Sequence, residues 1–136
     1  MAINKVSIVG MGSLGLIFGG ILFDSIGREN VEFVMDKERF EKYSGIERTI
    51  NSKKYDFKIV PDSEKGKPSD LVIFAVKSTA LKDAIKIVKN KVSDDTIIIS
   101  LLNGITSEEI IGQAFGEEKV LYTIAEAMDP IRDGYD

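Results

Sequence analysis

The chain has 136 residues, 43% apolar and 29% charged, with a formal net charge of −4: enough for one domain with a core, too little for two of ordinary size. It has no cysteine and no histidine, which excludes disulfides, thiolate nucleophiles, imidazole metal sites and any His-based proton relay. Lysines and acids are interspersed, and no apolar run approaches the ~20 residues that span a bilayer, so neither a nucleic acid nor a membrane is an expected partner.

Lys5-Val6-Ser7-Ile8-Val9 reads as a buried strand and runs straight into Gly10-Met11-Gly12-Ser13-Leu14-Gly15. A strand and glycine loop this early leave no room for the charged-then-apolar order of a secretory signal, so a cytoplasmic location is the default expectation. Leu14, Ile17, Phe18, Ile21 and Leu22 then recur at helical spacing, and Gly27 is placed to end that helix. Strand, glycine turn and helix form the context that a G-x-G-x-x-G run needs to bind a dinucleotide. Gly10 would allow the tight turn, Gly12 the close approach of a pyrophosphate, and Gly15 the packing of helix on strand. The free N–H groups at the helix start would face the phosphates.

Val31–Met35 is the second strand and ends at Asp36, about 20 residues beyond the last fingerprint glycine, where a ribose-reading carboxylate belongs. Asp36 is equally suited to cap a short helix over Lys37–Tyr43. A carboxylate there favours NAD, whereas Lys37 or Arg39 nearby would accommodate a 2′-phosphate.

Residues 46–60 alternate apolar and polar about Asn51-Ser52-Lys53-Lys54, which predicts a hairpin in place of a crossover helix. Pro61, Gly66 and Pro68 mark a loop. Asp70–Val76 is continuous enough for a central parallel strand, and it leads to Lys77, with Ser78 or Thr79 as cap of the next helix. That helix should bury Leu81, Ala84, Ile85 and Val88 and leave Lys82, Lys86 and Lys89 in solvent. Thr96–Leu101 is another buried strand, followed by Leu102-Asn103-Gly104. Thr106-Ser107-Glu108-Glu109 reads as a capping box for a helix to Phe115. Lys119–Ile124 is a last strand before a turn-rich tail.

Alternating strands and helices predict one α/β domain over residues 1–136. It would be a Rossmann-like, doubly wound, mostly parallel sheet with helices on both faces and a small hairpin insertion. Ligands of such sheets lie outside the carboxyl ends of the strands. The residues there are Gly10 to Gly15, Asp36, Lys77 after Val76, Asn103 after Leu101, and Ala125-Glu126 after the last strand. A strand-end lysine can donate to a ribose, a phosphate or a carbonyl oxygen, and an amide can donate and accept around a nicotinamide ribose. The alternatives are a solvated lysine and an Asn-Gly turn.

The glycine loop, Phe74-Ala75-Val76-Lys77-Ser78 and Leu101-Leu102-Asn103-Gly104-Ile105 together resemble the N-terminal domain of ketopantoate reductases (2-dehydropantoate 2-reductases). The resemblance covers essentially the whole chain. It implies NADP(H) as cofactor (NAD as the alternative), hydride transfer to a small 2-oxo acid in pantothenate biosynthesis, and association compatible with a homodimer. It also implies Lys77 and Asn103 at cofactor and substrate as the catalytic pair. Gly10, Met11, Gly12, Ser13, Leu14, Gly15, Asp36, Lys37, Val76 and Glu126 would hold the cofactor, with no metal. Asp36 stands about where the family commonly has a basic residue. The family's helical substrate domain, with its lysine acid and a substrate-binding glutamate, has no counterpart in these 136 residues. The chain is therefore expected to bind cofactor and to be inactive alone. Readings from other classes are a stand-alone NAD(P)-sensing module without catalysis, and a methyltransferase-like domain using the same loop for an adenosyl ligand.

Overall fold

The computed structural model describes residues 3–10, 12–43, 48–50, 53–63, 67–101 and 105–120. Its strands are β1 (Val6–Val9), β2 (Val31–Met35), β3 (Arg48–Ile50), β4 (Lys53–Tyr55), β5 (Lys58–Pro61), β6 (Leu71–Phe74) and β7 (Ile97–Ser100). Its helices are α1 (Ser13–Ile26), α2 (Lys37–Tyr43), α3 (Leu81–Ile87) and α4 (Ile105–Phe115). Five strands form one parallel sheet in the order β5-β2-β1-β6-β7, and β3 and β4 make a separate antiparallel hairpin. This is the Rossmann-like α/β fold. Val6 pairs with Val31 on one side and Leu71 on the other, so β1 is central and the chain leaves it in both directions. The topological switch therefore falls between β1 and β6.

Strand residues alternate between two cores. Val6, Ile8, Val31 and Phe33 face α1 and the hairpin, while Val9, Val34, Val72 and Phe74 face α3 and α4. On the first face Phe23 meets Tyr55 and Phe57 edge-on, and the Tyr55 hydroxyl donates to Asp24 at 2.8 Å.

Four elements differ from the sequence reading. First, Ile17 and Ile21 are exposed at 47% and 55%, while Leu16, Phe18, Leu22, Phe23 and Ile26 pack inward. Glycine sets this face. Gly15 and Gly19 are buried, and a Cβ at Gly19 would lie 2.7 Å from Phe33 Cζ, so the helix seats its glycine side on the sheet. Second, the predicted hairpin is split. Its second arm ends at Tyr55, and residues 58–61 form the edge strand beside β2, where Pro61 is tolerated. Third, the expected Ser78 or Thr79 cap is absent: residues 78–80 form a 3-10 turn closed by Ala80 N–H donating to the Lys77 carbonyl at 2.9 Å, and α3 follows with Ala80 at its N-cap. Fourth, α4 begins at Ile105, so Thr106 lies inside the helix and cannot form the capping box with Glu109, which is exposed.

Val120 bridges Ile98 in parallel after a 3-10 turn at Glu117–Lys119; the rest of the predicted last strand lies outside the described residues. Gly27 ends α1 at φ +93°. Lys82, Lys86 and Lys89 are exposed, but Lys91, in a 3-10 turn after α3, is buried.

Candidate functional site

At the end of β1, Gly10 has φ +105°, a conformation that costs glycine nothing. A Cβ there would strike the Ala75 carbonyl and come 2.9 Å from Val76 Cγ1, so β1 and β6 can converge only over a bare Cα. Gly15 sits beneath the Gly10 carbonyl, and a Cβ on it would collide with that oxygen. Gly12 is different. Its φ is −75°, which any residue adopts, and an added Cβ would meet nothing within 4 Å. It occupies the N-cap of α1, where no side chain among the described residues caps the first-turn N–H groups, and such a helix start attracts an anion.

Gly10 and Gly12 open into a cavity of about 470 Å³ on the carboxyl edge of the sheet. Val9, Ala75, Val76 and Lys77 come to it from the ends of β1 and β6, Val34 and Met35 from β2. Arg39 and Tyr43 enter from α2; Thr79, Ala80, Asp83, Ala84 and Ile87 enter from the turn before α3 and from α3 itself. The cavity thus sits at the switch point, where open α/β sheets bind ligands. Among the described residues its charged lining is Arg39, which is paired with Asp36, together with Lys77 and the carboxylate Asp83.

The structure gathers Gly10, Gly12, Val76 and Lys77 on this cavity, with Lys77 exposed. Gly15 lies directly beneath the loop. Asp36 is a helix cap: its Oδ1 accepts the Arg39 backbone N–H at 2.8 Å, and its Oδ2 pairs with the Arg39 guanidinium at 3.0 Å. Asp36 and Lys37 are not among the lining residues, whereas Arg39 is. Met11, Asn103 and Glu126 lie outside the described residues, and so do the side chains of Ser13 and Leu14.

Tyr43, Thr79 and Asp83 were not foreseen as lining residues. Thr79 is two positions beyond Lys77 on the same strand-end turn. Asp83 carried little signal, because Ala80 and Ile87 share its helical face with the polar Thr79 and Lys86. Among the described residues no three His, Cys, Asp or Glu side chains gather to hold a metal. No described helix is long and apolar enough to cross a membrane.

The family model for ketopantoate reductase PanE/ApbA matches residues 6–128. The uncharacterized oxidoreductase YkpB of Bacillus subtilis (strain 168) is 31% identical over 121 residues, which are 86% of this chain and 39% of that protein. Among solved structures, the ternary complex of D-mandelate dehydrogenase with NADH and anilino(oxo)acetate is 28% identical, with a TM-score of 0.70. The 2-dehydropantoate 2-reductase of Geobacter metallireducens GS-15 is 29% identical, with a TM-score of 0.67. Each alignment covers 85% of this chain and 39% of the other. The chain thus spans about two fifths of the length of the relatives it matches.

Proposed function

The chain belongs to the ketopantoate reductase family, and from that premise we propose that it is the dinucleotide-binding part of a reductase that delivers hydride to a small 2-oxo acid. The observation that carries the reading is Gly12. It leaves the start of a 14-residue helix uncapped and opens into a cavity of about 470 Å³, a volume in the range of cofactor sites. A nicotinamide dinucleotide supplies the hydride, and the protein holds and orients it. In this reading the pyrophosphate lies against Gly10, Gly12 and the first turn of α1, with Ser13, Leu14 and Met11 completing the loop. Lys77 lies toward the nicotinamide end, where its ammonium can donate to the oxygen of the substrate carbonyl. Asn103 and Glu126 belong to the same end through the family resemblance.

NADP(H) is the proposed cofactor, with Arg39 reaching the 2′-phosphate from the cavity wall and Lys37 beside it. The substrate proposed is a ketopantoate-like 2-oxo acid, and the place of work is the cytoplasm. Turnover in these 136 residues alone should be slight. Hydride delivery leaves a developing alkoxide that needs a positioned acid, worth 10²–10⁴-fold in rate. The family resemblance places that acid in a helical domain beyond this length.

Two measurements test the reading. The first is calorimetric titration of the chain and of Gly12→Val with NADPH, NADH and S-adenosylmethionine. The chain should bind a nicotinamide dinucleotide, and the folded variant should lose at least roughly tenfold in affinity. Unchanged affinity in a folded Gly12→Val protein removes the basis of the proposal, and binding of S-adenosylmethionine alone replaces it with the adenosyl reading. The second is a steady-state assay with NADPH and ketopantoate on this chain and on a version extended by the downstream domain. The extended form should be faster by orders of magnitude; equal rates would show that the site is complete within the 136 residues.

A further inference from the structure

Asp83 stands on the face that α3 turns toward the cavity, with Ala80 one turn before it, Ala84 next to it and Ile87 one turn after. Thr79 also lies one turn before it and the exposed Lys86 one turn after. Of the cavity-lining residues on α3 and at its N-cap, however, Ala80, Ala84 and Ile87 are apolar and two are alanines, so that part of the wall is a low, apolar seat with Asp83 at its edge. Val34 and Met35 from β2 line the same cavity. Asp83 is the only carboxylate among the described lining residues, and it is exposed there. Among the described residues it makes no hydrogen bond and no ion pair.

An ionised carboxylate accepts hydrogen bonds and donates none. Facing an anionic ligand, it can be tolerated only beside a donor. A dinucleotide bound as proposed above places its phosphates at the glycine loop, against α1 and away from α3. Its ribose hydroxyls fall nearest the ends of β1 and β2. What remains for an apolar seat is the purine, whose faces are apolar and whose 6-amino group is the one donor on its rim. A carboxylate that meets the ring at its 6-substituent accepts from that amino group and repels a 6-oxo group, whose neighbouring N1–H lies to one side of it. We propose that Asp83 is a specificity-determining residue that reads the 6-amino group of the cofactor's purine and rejects 6-oxopurine dinucleotides. The proposal rests on the dinucleotide reading of the site and adds to it a base-recognition residue on α3.

The test uses NADPH and its deamino counterpart, in which hypoxanthine replaces adenine, titrated into the chain and into Asp83→Asn and Asp83→Ala. The chain should bind the adenine form about tenfold or more tightly than the hypoxanthine form, the size expected of a hydrogen bond to a charged group. Asp83→Asn should bring that ratio close to one, because an amide can turn its NH₂ toward a 6-oxo group, and Asp83→Ala should flatten it by removing both effects. Thermal midpoints should stay near that of the parent, since the side chain is exposed and unpaired. A ratio near one in the parent chain, or a tenfold ratio that survives both substitutions, overturns the Asp83 proposal and leaves the dinucleotide reading standing. Failure of the parent to bind either form overturns both at once.

Discussion

At the amino-terminal edge of the sheet, Ser7, Glu32, Ser69 and Lys91 are closed over one another and out of water. At the carboxyl edge, Lys77, Thr79 and Asp83 stand exposed around a cavity. The composition of the two edges is alike; their bonding is not. Glu32 Oε2 accepts the Ser7 hydroxyl at 2.9 Å and lies 3.2 Å from Lys91 Nζ, and Lys5 Nζ approaches Oε1 at 3.8 Å. Ser7 and Ser69 share a hydrogen bond of 2.5 Å, and the Ser69 carbonyl accepts the Thr96 hydroxyl at 2.7 Å. Apart from Glu32 Oε1, which has only that 3.8 Å ion pair, these groups are hydrogen-bonded to one another. Such bonds hold strands in register, whereas polar groups left to solvent are available to a ligand. The difference separates a structural edge from a working one.

Breaking the closed edge should produce the largest effect on stability. Glu32 and Lys91 are each 1% exposed, so removing one partner takes from a buried charge its nearest counter-ion. Glu32→Ala or Lys91→Met should each cost about 3–5 kcal/mol, a large part of what holds a domain of this size together. The double variant Glu32→Leu with Lys91→Met removes both charges and should recover most of that loss. Urea denaturation of the three proteins measures this. Single variants within about 1 kcal/mol of the parent would mean that water reaches the pair. Dinucleotide affinity should be unchanged in whichever variants fold.

Within the open edge the glycines should divide in the same way. Gly15→Ala pushes a methyl group into the Gly10 carbonyl, and Gly10→Ala adds a left-handed φ to a collision with the Ala75 carbonyl. Backbone cannot step aside as a side chain does, so each should cost about 1–3 kcal/mol or more in thermal or chemical denaturation. Gly12→Ala meets no atom and needs no unusual φ, so its midpoint should match the parent while binding weakens. Equal destabilisation by all three would reduce the loop to a folding device.

Much of this division was legible in the residues, and the failures have definable causes. The second strand and its helix read correctly over Val31–Met35 and Lys37–Tyr43 because apolar run, capping Asp36 and helix agree locally. The tight turn at Gly10 and the close packing at Gly15 read correctly because strand and helix flank them. Lys91 was not legible. The exposed lysines repeat at helical spacing up to Lys89, but α3 ends at Ile87 and the following 3-10 turn rotates Lys91 off that stripe and under the sheet. Ile17 and Ile21 misled for a related reason: periodicity finds an apolar stripe, but Gly15 and Gly19 decide which side of the helix can approach the sheet. Residues 58–61 looked like a hairpin arm because local alternation carries no information about a parallel partner across the crossover, here β2.

The smallest effect should come at Asp36, where capping and cofactor choice meet. Its carboxylate caps α2 through the Arg39 N–H at 2.8 Å and pairs with the Arg39 guanidinium at 3.0 Å. The two side chains are 39% and 60% exposed, so the ion pair itself contributes little to stability. Asp36→Ala should cost about 1 kcal/mol through the lost cap, and Asp36→Asn almost nothing, because asparagine caps as well as aspartate. The cofactor readout should move the other way. If Arg39 serves a 2′-phosphate, Asp36→Asn releases the guanidinium and removes a nearby negative charge without disturbing the helix. NADPH affinity should then rise several-fold while NADH affinity stays level or falls. Thermal denaturation and titration of the same preparations separate the two roles. Should the parent chain bind NADH as tightly as NADPH, and Asp36→Asn weaken NADH alone, the carboxylate is reading a ribose diol. NAD would then be the cofactor, and the guanidinium would be no more than the partner of the cap.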